Sequence, residues 1–192
     1  MSTGVIGARL PMEKLLAALP NLVGTASERG LGDFATAIMT TDLVPKVRTV
    51  AVEDRSGSPF RVTGVAKGSG MIHPNMATML GYIATDARIA QPLLQQIVAH
   101  AAHRSFNAIT VDGDTSTSDT LLLAATGAAR HAPIEEADDP VLVDFKRALD
   151  ELLIELAQLL ARDGEGATKF VTINVGGASS NGAARKIGLA VA

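Results

Sequence analysis

A threonine in an unusual stretch is the first residue of this sequence that could perform covalent chemistry. Thr78 lies near the end of KGSGMIHPNMATML, residues 67–80, which is too apolar for a solvated loop and too irregular for a plain strand. A threonine hydroxyl is a poor nucleophile unless a base lies beside it. The available bases are Lys67, a carboxylate, or the α-amine that a break before Thr78 would create, whose ordinary pKa is about 7.7–8.0. The last arrangement would place nucleophile and base on one residue.

The bond before Thr78 suits such a break, although a simpler interpretation exists. Ala77 is small, so the Thr78 hydroxyl has room to attack the preceding carbonyl, and Pro74 and the glycines hold the chain in a nonhelical path. The alternative is that Thr78 only begins the strand TMLGYIA and has no chemical role. The physical chemistry of the residues alone favours this alternative.

Three other motifs are better explained as structural elements. AKGSGM and GEGATK lack the spacing of a phosphate-binding loop. DGDTSTSDT, residues 112–120, alternates acidic and hydroxyl residues as a calcium loop does, but Thr117 and Leu123 stand where that loop needs glycine and glutamate. We predict instead a tight turn in which these side chains satisfy backbone groups.

The composition excludes several further classes of function. The 192 residues contain no cysteine, and the four histidines lack ligand spacing, so we predict no metal site built from these residues. His100 and His103 should be solvated on a helix, while His73 stays a minor candidate for chemistry.

A net charge of -3 with 3% aromatic residues argues against nucleic-acid or membrane binding. No apolar run spans a bilayer and no secretory signal is visible, so we expect a cytoplasmic protein.

The elements that must position Thr78 can be read from apolar periodicity. Helical spacing and strand alternation occur in turn along the chain, which predicts an α/β protein with mixed sheets covered by helices. The predicted helices are 11–20, ended or kinked by Pro20, then 91–106, 140–163 with Asp139 as its cap, and 182–192. The predicted strands are FATAIM (34–39), a hairpin of 47–52 and 60–66, then 79–86, 108–114, 121–127 and FVTINV (170–175).

Five sequence blocks resemble one known family. KGSGMIHPNMATML is similar to the self-cleavage segment of the ornithine acetyltransferase family, the bifunctional glutamate N-acetyltransferases of arginine biosynthesis. STGVIG, AIMTTDLVPK, RSFNAITVDGDTSTSDT and ARDGEGATKF look like that family's other strong blocks and occur in its order. The resemblance covers nearly the whole chain, from Ser2 to the last helix.

The resemblance implies a fold, a reaction and a partner arrangement. The fold would be mixed sheets stacked between helices, similar to that of self-processing aminopeptidases. The precursor would cut itself between Ala77 and Thr78, so that 1–77 forms the end of an α chain and 78–192 a β chain within one structural unit. Thr78 would take the acetyl group from N-acetylornithine and pass it to glutamate. The resemblance implies no metal and no organic cofactor, with acetyl-CoA used as a substrate only by bifunctional members. The two chains would stay associated, as a heterotetramer of two of each.

The resemblance also implies the roles of individual residues. A Thr hydroxyl and a Gly amide would form the oxyanion hole, and Lys67 and Glu165 suit a substrate carboxylate and amine respectively. Thr40 is preferred to Thr41 as a substrate contact. The implied oxyanion hole is Thr3 and Gly4, and the implied substrate contacts are Thr40, Lys67, Thr78 and Glu165.

The sequence departs from the family at both ends. Members are considerably longer, and a C-terminal region with further substrate-binding residues has no counterpart in these 192 residues. Two alternatives therefore stay open beside the acetyltransferase. One is a truncated, non-catalytic remnant or a partner subunit, and the other is a hydrolase or aminopeptidase that uses the same threonine chemistry.

Overall fold

A four-stranded mixed sheet forms the centre of the molecule. The computed structural model describes residues 7–53, 59–73, 79–116 and 118–192. The sheet order is β1-β2-β3-β4, with antiparallel β1/β2 and β2/β3 pairs and a parallel β3/β4 pair. The strands are β1 (Lys46–Glu53), β2 (Pro59–Lys67), β3 (Leu80–Thr85) and β4 (Thr120–Ala125). The predicted α/β class, the mixed sheet and the 47–66 hairpin are confirmed.

Five α-helices accompany the sheet in the described part of the chain. Helix α4 presents an apolar stripe to β1 and β2, and α3 packs against α4. Gly64 allows this close approach, because a Cβ there would lie 2.7 Å from side-chain carbons of Leu152 and Leu156. The helices are α1 (Met12–Gly24), α2 (Leu31–Ala37), α3 (Gln91–Arg104), α4 (Val141–Arg162) and α5 (Asn181–Val191).

The predicted boundaries of the long helices are close to those observed. The Asp139 carboxylate accepts the amide of Val141 at 2.8 Å, which satisfies a free donor at the start of α4. The same helix ends at Arg162, just before Gly164. Helix α1 does not end at Pro20 but continues to Gly24, with the proline inside it.

The prediction of a strand at FATAIM is wrong. Residues 34–37 form the second half of α2, Ile38 and Met39 follow the helix, and Phe34 packs edge-to-face on Tyr82 of β3 with ring centroids 5.0 Å apart. Tyr82 and Ile83 point to opposite faces of the sheet, and Ile83 shares its face with α4. Helix α2 therefore covers part of the second face of the sheet. The apolar side chain of Phe34 contacts that face from a helix rather than from a strand.

Two further strand predictions are also wrong. Ala108 ends a short 3-10 helix, Phe106–Ala108, and residues 109–114 continue as irregular backbone with a bend, while residues 170–175 belong to no described strand. Val171 and Ile173 of the second segment are exposed. The alternation of 170–175 is typical of a strand, but a strand also needs a neighbour to accept its hydrogen bonds.

The helix α1 has an apolar face that nothing in the described residues covers. None of its side chains is buried, although it is rich in leucine. Helix α5 likewise buries none of its residues. The core lies instead between α3, α4 and the sheet, where Phe145, Leu149 and Leu152 are inaccessible to solvent.

Candidate active site

A small polar cavity of about 220 Å³ lies at the end of β2. Thr40, Lys67 and Glu165 all line it, together with Thr41 and Asp112. The structure therefore brings together three of the residues predicted as substrate contacts, although they come from three separate sequence blocks. The cavity presents one cation and two carboxylates to a bound molecule.

Lys67 is the cationic group of the cavity. It is the last residue of β2, is 2% exposed, and its Nζ donates to Thr40 Oγ1 at 2.9 Å. Burial lowers the pKa of Lys67; Asp42 opposes this effect, while the nearby Lys46 adds to it. Thr40, rather than Thr41, receives this bond, so the geometry gives the preferred threonine a defined partner.

A buried ion cluster lies beneath the cavity, and the sequence reasoning missed it. Lys46 Nζ donates to Asp42 Oδ1 at 2.7 Å and to Asp163 Oδ2 at 2.5 Å, and the lysine side chain is fully buried. Lys46 and Asp163 are 117 residues apart in sequence. The spacing of Asp42 and Lys46 was the only local signal for this cluster.

The cluster also fixes the backbone that forms the cavity wall. Gly68 donates its amide to Asp42 Oδ1 at 2.7 Å, and Leu43 donates to Asp163 Oδ2 at 3.0 Å. Burial alone would raise the pKa of Asp42, but the bonds from Gly68, Lys46 and the Thr40 amide outweigh it and lower that pKa. Asp42 therefore holds the loop and the end of β2 together as a carboxylate.

Glu165 enters the cavity from the far end of the chain. Its amide donates to the Ser69 carbonyl at 2.7 Å, and the Ser69 hydroxyl donates to the Asp163 carbonyl at 2.7 Å. The Glu165 carboxyl lies against Gly70, where an added Cβ would approach its atoms to 3.0–3.2 Å. The absence of a side chain at residue 70 therefore decides where this carboxylate can lie.

The stretch after Lys67 is held by hydrogen bonds to its backbone as far as Ile72. Asp112 accepts the backbone amides of Met71 and Ile72. Val111 and Thr110 both donate to the Ile72 carbonyl, at 2.8 and 2.9 Å. Asp112 thus satisfies backbone groups, as predicted for the turn, but mainly those of a different segment.

The predicted nucleophile and oxyanion hole lie outside the described residues. This applies to Thr78 and Ala77 and to Thr3 and Gly4. What the structure describes is the strand that begins just after Thr78. There, Leu80 pairs with Lys67 on one side and with Thr120 on the other.

Asp119 contacts the residue that follows Thr78, and the sequence reasoning gave it no role beyond the turn. Its Oδ1 accepts the amide of Met79 at 2.7 Å. Its Oδ2 is buried and has no hydrogen-bond partner among the described residues. Burial raises the pKa of Asp119 to about 6, although the bond from Met79 opposes the shift. A buried acceptor without a partner is rare in a folded protein.

The histidines contribute little to this site. His100 and His103 are exposed on α3, as predicted. His131 is buried and structural: Nε2 accepts the Arg88 amide at 3.1 Å, so Nδ1 donates to the Ala132 carbonyl at 2.7 Å. His73 lies 3.4 Å from the Thr110 hydroxyl. Among the described residues, no cluster of three metal-binding side chains occurs.

Together, these features define a mixed α/β protein with a small charged cavity at the point where β2 ends and β3 begins. The family model of the ArgJ family matches residues 1–192, and the chain belongs to that family. The family resemblance predicted from the five sequence blocks is thereby confirmed. No described helix is long and apolar enough to cross a membrane.

Individual relatives give the extent of the similarity. The chain is 51% identical to the arginine biosynthesis bifunctional protein ArgJ of Gluconobacter oxydans and to that of Methylococcus capsulatus, and covers 45% and 46% of them. It is 48% identical to the mitochondrial ArgJ of Verticillium alfalfae, of which it covers 42%. All three alignments include the whole of this chain, which thus spans less than half the length of these relatives.

A solved structure also matches part of the chain. The crystal structure of the arginine biosynthesis bifunctional protein ArgJ from Bacillus halodurans is 41% identical. The match covers 46% of this chain and 41% of that one, with a TM-score of 0.44.

Proposed function

We propose that this chain forms the catalytic part of an acetyltransferase that moves an acetyl group from N-acetylornithine to glutamate through Thr78. The chain would first cut itself between Ala77 and Thr78, leaving regions 1–77 and 78–192 as one associated unit. No cofactor is needed for this chemistry, and acetyl-CoA is a substrate only if the protein is bifunctional.

The proposed reaction consists of two acyl transfers. The Thr78 hydroxyl gives its proton to the Thr78 α-amine and attacks the acetyl carbonyl of N-acetylornithine. The amide bond breaks, ornithine leaves as an amine with that proton, and an acetyl ester stays on Thr78. The glutamate amine then attacks the ester carbonyl, the bond from that carbon to Thr78 Oγ breaks, and the amine proton returns through the α-amine to Oγ as N-acetylglutamate leaves. Thr3 and Gly4 would stabilise the oxyanion in both steps.

The charges of the cavity are the observation that best supports this proposal. Lys67 and Glu165 line the same cavity of about 220 Å³. N-acetylornithine carries a carboxylate and, on the nitrogen that is not acetylated, a free amine. We assign the carboxylate to Lys67, with Thr40 beside it, and the ornithine amine to Glu165. The carboxylate contact to Lys67 suits both substrates of the exchange, because glutamate also carries a carboxylate.

The sheet supports the proposal that the two cut chains stay together. Strand β2 precedes the predicted break and β3 follows it, and the two are hydrogen-bonded from Val62/Thr85 to Lys67/Leu80. The Lys46–Asp163 ion pair also joins the two regions. A break at Ala77–Thr78 leaves all of these contacts intact. A heterotetramer of two α and two β chains stays a proposal, which a measurement of the molecular mass in solution would test.

Intact mass spectrometry tests this function directly. The purified protein should separate under denaturing conditions into two chains that break at Ala77–Thr78. Incubation with N-acetylornithine and no glutamate should add one acetyl group, which peptide sequencing maps to Thr78. Ornithine in place of N-acetylornithine is the control. Thr78→Ala should abolish both the break and the adduct, whereas an adduct on another residue would contradict the proposal.

The same experiment separates the two alternatives. A hydrolase with this threonine would release acetate from N-acetylornithine at a rate that glutamate does not change. A partner subunit without activity would show no adduct under any condition, and it is favoured by one observation. Leu15, Leu16, Leu19 and Leu22 on α1 are all exposed, as expected for a surface that further protein covers.

A further inference from the structure

Self-cleavage of the uncut chain needs a base that is different from the base proposed for the acetyl transfer. Before the break, the Thr78 nitrogen belongs to a peptide bond and cannot act as a base. Another group must therefore take the hydroxyl proton in the first turnover, in which the chain cuts itself. This inference rests on the proposed self-cleavage at Ala77–Thr78.

We propose that Asp119 is the base that removes the Thr78 proton during self-cleavage. Its Oδ1 lies 2.7 Å from the amide nitrogen of Met79, so the carboxylate is one peptide unit from Thr78. The Thr78 hydroxyl is separated from that nitrogen only by Cβ, Cα and the carbonyl carbon of its own residue. A carboxylate has two oxygens, so one can accept the Met79 amide while the other takes up a proton. Oδ2 is the oxygen left without a partner by the described residues.

The other polar groups at this end of the sheet are already engaged or lie elsewhere. Lys67 donates to Thr40 and lines the cavity. Both oxygens of Asp112 accept backbone amides. The Glu165 carboxyl lies against Gly70 and lines the cavity. His73 precedes the break and lies within 3.4 Å of Thr110. Among the described carboxylates, Asp119 thus has both a direct contact to the residue after Thr78 and an oxygen without a partner.

The step balances as an acyl shift followed by hydrolysis. Asp119 Oδ2 accepts the hydroxyl proton, and Thr78 Oγ attacks the Ala77 carbonyl carbon. The bond from that carbon to the Thr78 nitrogen breaks, and Asp119 returns the proton to the nitrogen, which becomes the free α-amine. Water then hydrolyses the ester between Ala77 and Thr78. After this step the α-amine serves as the base, and Asp119 keeps only its bond to Met79.

The test compares self-cleavage in Asp119→Asn with a matched control. The asparagine oxygen can still accept the Met79 amide, but the side chain can no longer take a proton. Asp86→Asn is the control, because Asp86 Oδ1 accepts the Arg61 amide at the same 2.7 Å near the opposite end of β3. Time courses of the cut, measured by intact mass after synthesis without any substrate, should show Asp119→Asn slowed about 100-fold or more. Asp86→Asn should match the wild type.

Each outcome decides the proposal. A folded Asp119→Asn protein that cuts at the wild-type rate would overturn the role of Asp119 but leave the acetyltransferase intact. A wild-type chain that stays uncut would overturn both. If Asp119→Asn does not fold, the wild-type pH profile decides, because the cut should slow as the pH falls through about 6, where Asp119 takes up its proton. The pH profile of the His73→Gln variant should show the same inflection near pH 6. A cleavage rate that is flat between pH 5 and 8 would overturn the proposal.

Discussion

The two ends of the β2–β3 pair differ in chemistry although they share one hydrogen-bonding pattern. At the end near Leu80, Lys67 and the Lys46–Asp42–Asp163 cluster are buried ions. At the end near Thr85, the contacts are neutral or exposed: the Thr85 hydroxyl donates to the Arg61 carbonyl at 2.7 Å and accepts the Ala87 amide at 3.1 Å. Strand pairing by itself therefore does not require buried ions.

Cavity volume does not distinguish the two ends, whereas charge does. A second cavity, near the Thr85 end, is larger at about 260 Å³ and lies beside Arg88 and Glu135. It contains no buried ionisable side chain of the kind that Lys67 provides. Burying an ion costs free energy unless partners compensate for it. The buried ions at the Leu80 end are therefore better evidence of a functional site than the volume of a cavity is.

The largest expected effect tests the ion cluster at the Leu80 end. Lys46→Met would leave Asp42 and Asp163 buried without their shared cation, so it should lower the free energy of unfolding by about 3–5 kcal/mol. Asp86→Asn, at the other end, should lower it by about 1 kcal/mol or less. Urea unfolding of both variants at pH 7 measures the difference. Equal losses would show that the two ends are energetically alike.

The second prediction separates stability from function within the same end. Lys67→Met keeps the side-chain volume and removes a buried cation, so the free energy of unfolding should change little. Loss of the substrate carboxylate contact should lower kcat/KM for N-acetylornithine by about 100-fold, within the range expected for a charged hydrogen bond of about 1.5–3 kcal/mol. Steady-state kinetics and a thermal melt measure the two effects. An inactive and unfolded Lys67→Met would assign Lys67 to the scaffold instead.

A smaller effect is expected from the glycine against Glu165. Gly70→Ala would place a Cβ 3.0–3.2 Å from the Glu165 carboxyl and push that group aside. We expect KM for N-acetylornithine to rise about 10-fold, which is about 1.4 kcal/mol of lost binding, with little change in self-cleavage. Gly32→Ala is the control, because a Cβ there meets nothing within 4 Å. If both variants keep the wild-type KM, Glu165 does not bind the substrate amine.

The smallest effect is a pH dependence of stability at the Leu80 end. The pKa of Asp119 is raised from 3.8 to about 6 in the folded state, so its contribution is fully present below pH 3.8 and is lost as the pH rises through about 6. Relative to Asp119→Asn, the wild type should lose on the order of 1 kcal/mol between pH 4 and 7, after allowance for partial exposure. Urea unfolding at both pH values measures this, with Asp86→Asn as the reference. A constant difference would contradict the raised pKa.

The sequence predicted those elements whose periodicity is long and regular. Helix α4 and the hairpin have many apolar positions in phase, and both were located within a few residues. FATAIM was misread because six apolar and small residues fit a strand or a helix equally well, and the packing of Phe34 on Tyr82 decided the matter. FVTINV alternates correctly, yet the described residues offer it no strand to pair with.

The sequence by itself determined the family, the α/β class and the threonine that the proposed chemistry needs, because those depend on residue types in short blocks. Only the tertiary structure decided which polar residues share one environment. Lys46 meets Asp163 across 117 residues, and Asp119 meets Met79 across 40. Such contacts arise from strand register and from the packing of α4 on the sheet, which no local spacing encodes. Whether a carboxylate in DGDTSTSDT is a turn residue or a base depends on that folded environment.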